Sequence, residues 1–121
     1  MQDVVLRTLE LPVGVTVLGP ATITSQWVAV GISIDKATWT NPADKMSLQV
    51  DYSTDRGDTW IPKGGFANEP GGGSIVGAMF NFESQANNNR RVRATVTVAG
   101  NPITSVVVAR LLDGTEPRAL A

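Results

Sequence analysis

Apolar and polar residues alternate with a period of two along most of this chain. In residues 27–35, Val28, Val30, Ile32 and Ile34 share one face, and Trp27, Ala29, Gly31, Ser33 and Asp35 share the other. Residues 47–53 set Leu48, Val50 and Tyr52 against Ser47, Gln49, Asp51 and Ser53. In residues 76–83, Val76, Ala78, Phe80 and Phe82 oppose Gly77, Met79, Asn81 and Glu83, and in residues 91–98 Val92, Ala94, Val96 and Val98 oppose Arg91, Arg93, Thr95 and Thr97. That period belongs to half-buried strands. Residues 102–112 carry Val106, Val107 and Val108 in a row, apolar on both faces, which predicts a strand central to a sandwich or covered by a partner. The first 24 residues also read as extended, broken into short pieces by Pro12, Gly14, Gly19 and Pro20.

Turn chemistry separates these runs. Residues 40–44 combine Asn41, Pro42 and Asp44, a turn composition. Residues 68–74, with Pro70 and three glycines, read as the longest flexible loop, and Lys63, Gly64 and Gly65 as another. Asn87, Asn88 and Asn89 suit a left-handed turn. Gly100, Asn101 and Pro102 make a hairpin connection, and residues 113–117 end the fold. No helical period and no long repeat is present. The pattern predicts one all-β domain over residues 1–121, an antiparallel β-sandwich of seven or eight strands. Immunoglobulin-like and jelly-roll topologies both fit. Residues 1–20 read as an N-terminal arm or edge strand, and residues 114–121 as a short C-terminal tail.

Composition narrows the chemistry. With 10 basic and 11 acidic residues the net charge is −1, so there is no cationic surplus for a nucleic-acid backbone. The chain has no cysteine and no histidine, which removes disulfides, thiol catalysis and the usual general base. Nothing at the start resembles a signal peptide and no apolar run is long enough to span a bilayer. The expectation is a chain that folds where it is made or inside an assembly, without a membrane, cofactor, metal or catalytic residue. A Ser–Lys dyad needs a buried lysine, whereas Lys36, Lys45 and Lys63 all stand beside predicted turns.

One local motif is recognisable. Ser53, Asp55, Gly57, Thr59 and Trp60 fill the pattern S-x-D-x-G-x-T-W, which resembles the Asp-box hairpin of sialidase propellers. Asp55 can accept the turn's amides, Gly57 supplies a positive φ, and Trp60 opens the return strand. The resemblance implies a structural turn at Ser53, Asp55, Gly57 and Trp60, and no sialidase activity, because a single copy cannot make a propeller. The embedded Arg56-Gly57-Asp58 tripeptide is accounted for by the turn. Asp51, Asp55 and Asp58 lack the spacing of a calcium loop.

Two readings of the surface compete. Trp27, Trp39 and Trp60 could stack on a saccharide, with Trp39 the best placed for exposure; core and hairpin packing is the reading preferred for them, with Trp60 part of the hairpin. Arg90, Arg91 and Arg93 form the densest basic cluster. Arg91 and Arg93 share one strand face with cross-strand acids as partners, or meet an acidic protein surface. Val4, Leu6, Leu9 and Leu11 hold no clean alternation, which suits a segment touched from two sides.

Taken whole, the chain is similar to small all-β proteins of tailed bacteriophages. The resemblance lies in Leu11-Pro12-Val13-Gly14 leading to the strand at 27–34, Trp39-Thr40-Asn41-Pro42, the single Asp-box with Gly64-Gly65-Phe66 after it, and the Arg-Val-Arg-Ala-Thr-Val strand at 91–96. It implies a non-enzymatic virion protein, a capsid decoration or cement protein on the particle surface. Its partner would be the major capsid protein or another virion protein, or a further copy of the chain. Val4, Leu6, Leu9, Leu11, Trp39, Arg91 and Arg93 are the candidate interaction surface. The alternative is a carbohydrate-binding or adhesion module, tail-associated.

Overall fold

A computed structural model describes residues 7–23, 27–83, 89–112 and 118–120. The strands are β1 (Arg7–Leu11), β2 (Gly14–Thr22), β3 (Trp27–Asp35), β4 (Lys45–Ser53), β5 (Ile61–Pro70), β6 (Ile75–Glu83), β7 (Arg91–Ala99), β8 (Ile103–Leu112) and β9 (Arg118–Ala119). Sheet A has the order β1-β8-β3-β6, with β9 paired to β8, and sheet B the order β2-β7-β4-β5. All pairings are antiparallel.

The pairings β1 with β8, β2 with β7, β3 with β6 and β4 with β5 are nested inside one another. They describe one long hairpin rolled up so that successive strand pairs fall alternately in sheet A and sheet B. That is the jelly roll. The alternation read from the sequence is the cause: each apolar face turns inward against the other sheet. Val30, Ile32, Ile34, Val107 and Leu111 meet Leu48, Val50, Val92, Val96 and Val98 in a single core. β8 lies between β1 and β3 within sheet A.

Three expectations are corrected. Residues 61–70, including Lys63, Gly64 and Gly65, are not loop but the edge strand β5. Its period is hidden because two bulges interrupt the register with β4, between Met46 and Leu48 and between Val50 and Asp51. Gly65 is required there: it has φ 152°, and a Cβ would stand 1.9 Å from the Leu48 carbonyl oxygen. The end of the chain is no tail, since β9 pairs with Arg110 and Leu111 and Leu120 is buried in the core. Leu11 is fully buried rather than at the surface. The broken alternation of the first 20 residues arises because the chain changes sheets between Leu11 in β1 and Gly14 in β2. Val4, Leu6, Asn87, Asn88 and residues 113–117 lie outside the described residues. Leu9 pairs its backbone with Ser105.

Candidate functional site

The β4–β5 hairpin is built by short-range hydrogen bonds. Ser53 Oγ donates to Asp55 Oδ1 at 2.7 Å and accepts from the Gly57 amide at 2.8 Å. The Thr59 amide donates to Asp55 Oδ1 at 2.9 Å, and its hydroxyl donates to Asp55 Oδ2. These donors, Thr59 first and Ser53 after it, hold the Asp55 carboxyl down from its ordinary 3.8 to about 2. Arg56 and Gly57 have φ of 62° and 91°. Arg56 also donates through Nε to Asn89 Oδ1 at 3.0 Å, which ties the turn to the start of β7. The tripeptide at 56–58 is thus occupied in shaping the turn.

Trp60 returns against Gly57, where a Cβ would lie 3.2 Å from the indole. The Arg93 guanidinium sits 4.1 Å from its ring centroid. Arg93 donates through Nε to Asp51 Oδ2 at 3.1 Å, and Gln49 Nε2 donates to Asp51 Oδ1 at 2.8 Å. Asp51 is therefore engaged by a cross-strand and a same-strand partner. Among the described residues no three acidic side chains cluster as a metal site. Arg91 is half-buried and donates through Nη1 to the Arg90 carbonyl at 2.9 Å.

These residues belong to the outer face of sheet B, which carries an open groove of about 580 Å³. Ser47, Gln49, Thr95 and Thr97 give it hydroxyl and amide groups, Asp51 and Arg93 close one end, and Pro62, Gly64, Gly65, Phe66 and Ala67 line its β5 side. Beyond Thr95 and Thr97 lies β2, whose Val15 and Val17 stand opposite them in register. Val13, Val15 and Val17 are 54, 65 and 50% exposed. The outer face of sheet A has a second trough, about 460 Å³, floored by Gly31, Ser33 and Gly77 and walled by Met79, Val108 and Arg110.

Trp39 is not at the surface. It is 3% exposed, and its Nε1 donates to the Asn101 carbonyl at 2.9 Å. A tight turn, closed by the Trp39 amide on the Lys36 carbonyl at 2.9 Å, swings the indole back over the end of the sandwich. The same end buries Lys36, whose ammonium meets Glu69 Oε1 at 2.7 Å and the Pro70 carbonyl at 3.1 Å. It also buries Asp44, which accepts from the Asn101 amide at 3.2 Å. The glycine loop at 71–74 is pinned there, with Gly71 and Gly72 donating to the Asp44 and Trp39 carbonyls at 3.1 and 2.7 Å. Sequence reasoning missed this lock because its partners are far apart in the chain. The Trp27 side chain lies outside the described part.

No family model matches the chain. No curated protein matches its sequence. Solved structures do share its fold. A chain of the naturally occurring empty particles of cowpea mosaic virus superposes with a TM-score of 0.53 at 10% identity, over 100% of this chain and 91% of that one. A subviral particle of VP2 from infectious bursal disease virus superposes with a TM-score of 0.51 at 13% identity, over 94% of this chain. This chain spans 33% of the length of that VP2 chain. A xylan-binding module superposes less closely, with a TM-score of 0.40 at 13% identity over 82% of this chain and 70% of that one. The first two likenesses agree with the antiparallel β-sandwich described above. They establish the fold.

Proposed function

We propose that this protein is a structural component of a virus particle, and more narrowly a decoration or cement protein on the capsid of a tailed bacteriophage. One observation carries the reading: the nested jelly roll runs through the chain and matches a chain of a virus particle over nearly its full length. The narrower assignment draws on the resemblance of the sequence to small all-β phage proteins. Its partner is the major capsid protein or another virion protein, and its place is the particle surface. The reading assigns no catalytic step. The sequence has no histidine or cysteine, and the buried Lys36 is held by Glu69.

Mass spectrometry of purified particles from the source of the gene tests this. The protein is expected at a fixed ratio to the major capsid protein. Its absence from particles that assemble while the gene is expressed would overturn the reading.

A second reading, a carbohydrate-binding module, is favoured by the hydroxyl-lined groove on sheet B. Calorimetric titration with neutral oligosaccharides decides it. Binding that is lost on Gln49→Ala supports it, and no heat at millimolar sugar removes it.

A further inference from the structure

Among the described residues the two sheets have four edges: β1, with the two-residue β9 beside it on β8, and β6 in sheet A, and β2 and β5 in sheet B. An edge strand presents backbone N–H and C=O groups that can pair with another chain, so edges are usually blunted by charges, prolines and bulges. β5 has all three: Lys63 and Glu69, Pro62 and Pro70, and two register shifts. β1 is five residues long and carries Arg7 and Glu10. β6 breaks its exposed apolar pair, Ile75 and Met79, with Gly77 between them, and ends on Asn81 and Glu83. β2 is different. It has no ionisable residue, and it keeps an unbroken register with β7 from Gly14 to Leu18. Its outward side chains, Val15 and Val17, continue from Val13 as an exposed β-branched stripe.

We propose that β2 is a self-association edge. Two copies join antiparallel about a two-fold axis at Thr16, so that sheet B runs on into the second copy as one sheet of eight strands. The choice of a second copy follows from charge and symmetry. A two-fold axis brings an edge against itself, so a charge near the axis meets its own like charge. Of the four edges, the β2 stretch is free of charge along its whole length. About Thr16, Val15 of each copy stands opposite Val17 of the other. These are two β-branched pairs on one face, the kind that stabilises antiparallel strands. Gly19, Pro20 and the register shift before Ala21 stop the pairing beyond Leu18. The contact is therefore short, about 20 Å of strand. It falls below the size of a permanent interface. The dimer forms at high local concentration, in a range of about 10 μM to 1 mM in solution. This inference does not rest on the virion reading.

Sedimentation equilibrium of the full chain across that range tests it, and a monomer–dimer equilibrium is expected. Val15→Lys and Val17→Lys each place an ammonium on the valine pairs and weaken association by about tenfold or more. Ala67→Lys, on the blunted β5 edge, leaves association unchanged. Because Val15 and Val17 are at least half exposed, the lysine variants keep the wild-type thermal melt. The chain has no cysteine, so Thr16→Cys adds a lone thiol. Residues opposed across antiparallel strands have Cα atoms about 4.5–5.5 Å apart, within disulfide reach. Oxidised Thr16→Cys is therefore expected to yield a covalent dimer, and Ala67→Cys none. If a lysine variant fails to fold, the Thr16→Cys result decides. A chain monomeric at 1 mM, a dimer indifferent to both lysines, or an associating Thr16→Cys chain that does not cross-link overturns the proposal.

Discussion

Asp55 shows how much one side chain does in the β4–β5 turn. It accepts from the Ser53 hydroxyl and from the amide and hydroxyl of Thr59, and its pKa lies at about 2 in the fold. Because the folded value is below the unfolded one, the carboxylate contributes stability that is fully present above pH 3.8 and is lost as pH falls through about 2. Asp55→Asn is expected to melt below the wild type at neutral pH. Thermal melts from pH 5 downward should show the gap closing between the two values. A gap that stays constant would assign the loss to geometry rather than charge.

At the scale of elements, the connection between β3 and β4 is held as firmly as a strand. Lys36 is buried with Glu69 of β5 as its counter-ion, so removing the acid leaves a desolvated ammonium with only the Pro70 carbonyl. Glu69→Ala should cost about 2 kcal/mol in urea unfolding, and Lys36→Met clearly less, because removing the buried charge relieves the same penalty. The sequence makes the strands β3, β4, β6 and β7 legible, since each alternates apolar and polar residues, and β8 legible by its unbroken apolar run. β5 escapes the same reading. Its bulges at Lys63 and near Asn68 shift the alternation twice, and its Gly65 lets the Leu48 backbone approach. The turn at Ser53, Asp55 and Gly57 is legible because the bonds made by Ser53 and Asp55 within it are local. The Trp39 lock is not, because its acceptor Asn101 is 62 residues away and nothing near Trp39 announces it.

For the whole molecule, the sandwich takes residues 118–120 into its structure. Leu120 is 2% exposed, and its amide donates to the Ala109 carbonyl at 3.3 Å. Leu120→Ala should therefore cost about 2–4 kcal/mol, the range for a buried leucine, in a single cooperative transition. A surface tail would lose nothing measurable. The sandwich class follows from the strand period alone. The jelly roll, rather than an immunoglobulin-like order, does not, because β1 meets β8 only through pairings with nearly the whole chain between them.

The same pairing gives the molecule a direction in which it is weak. Arg7 stands opposite Val107, and Leu11 opposite Ile103, so the start of β1 and the end of β8 lie toward the same end of the strand pair. Tension applied between Arg7 and Leu112 falls on the bonds of β1 and β8 one after another, like a zip. Tension applied between Leu11 and Leu112 loads them together in shear. An optical-tweezers measurement with handles at these two pairs of sites should find the first geometry rupturing at clearly lower force. The fold would then resist being slid along its strands far better than being peeled from the edge of sheet A.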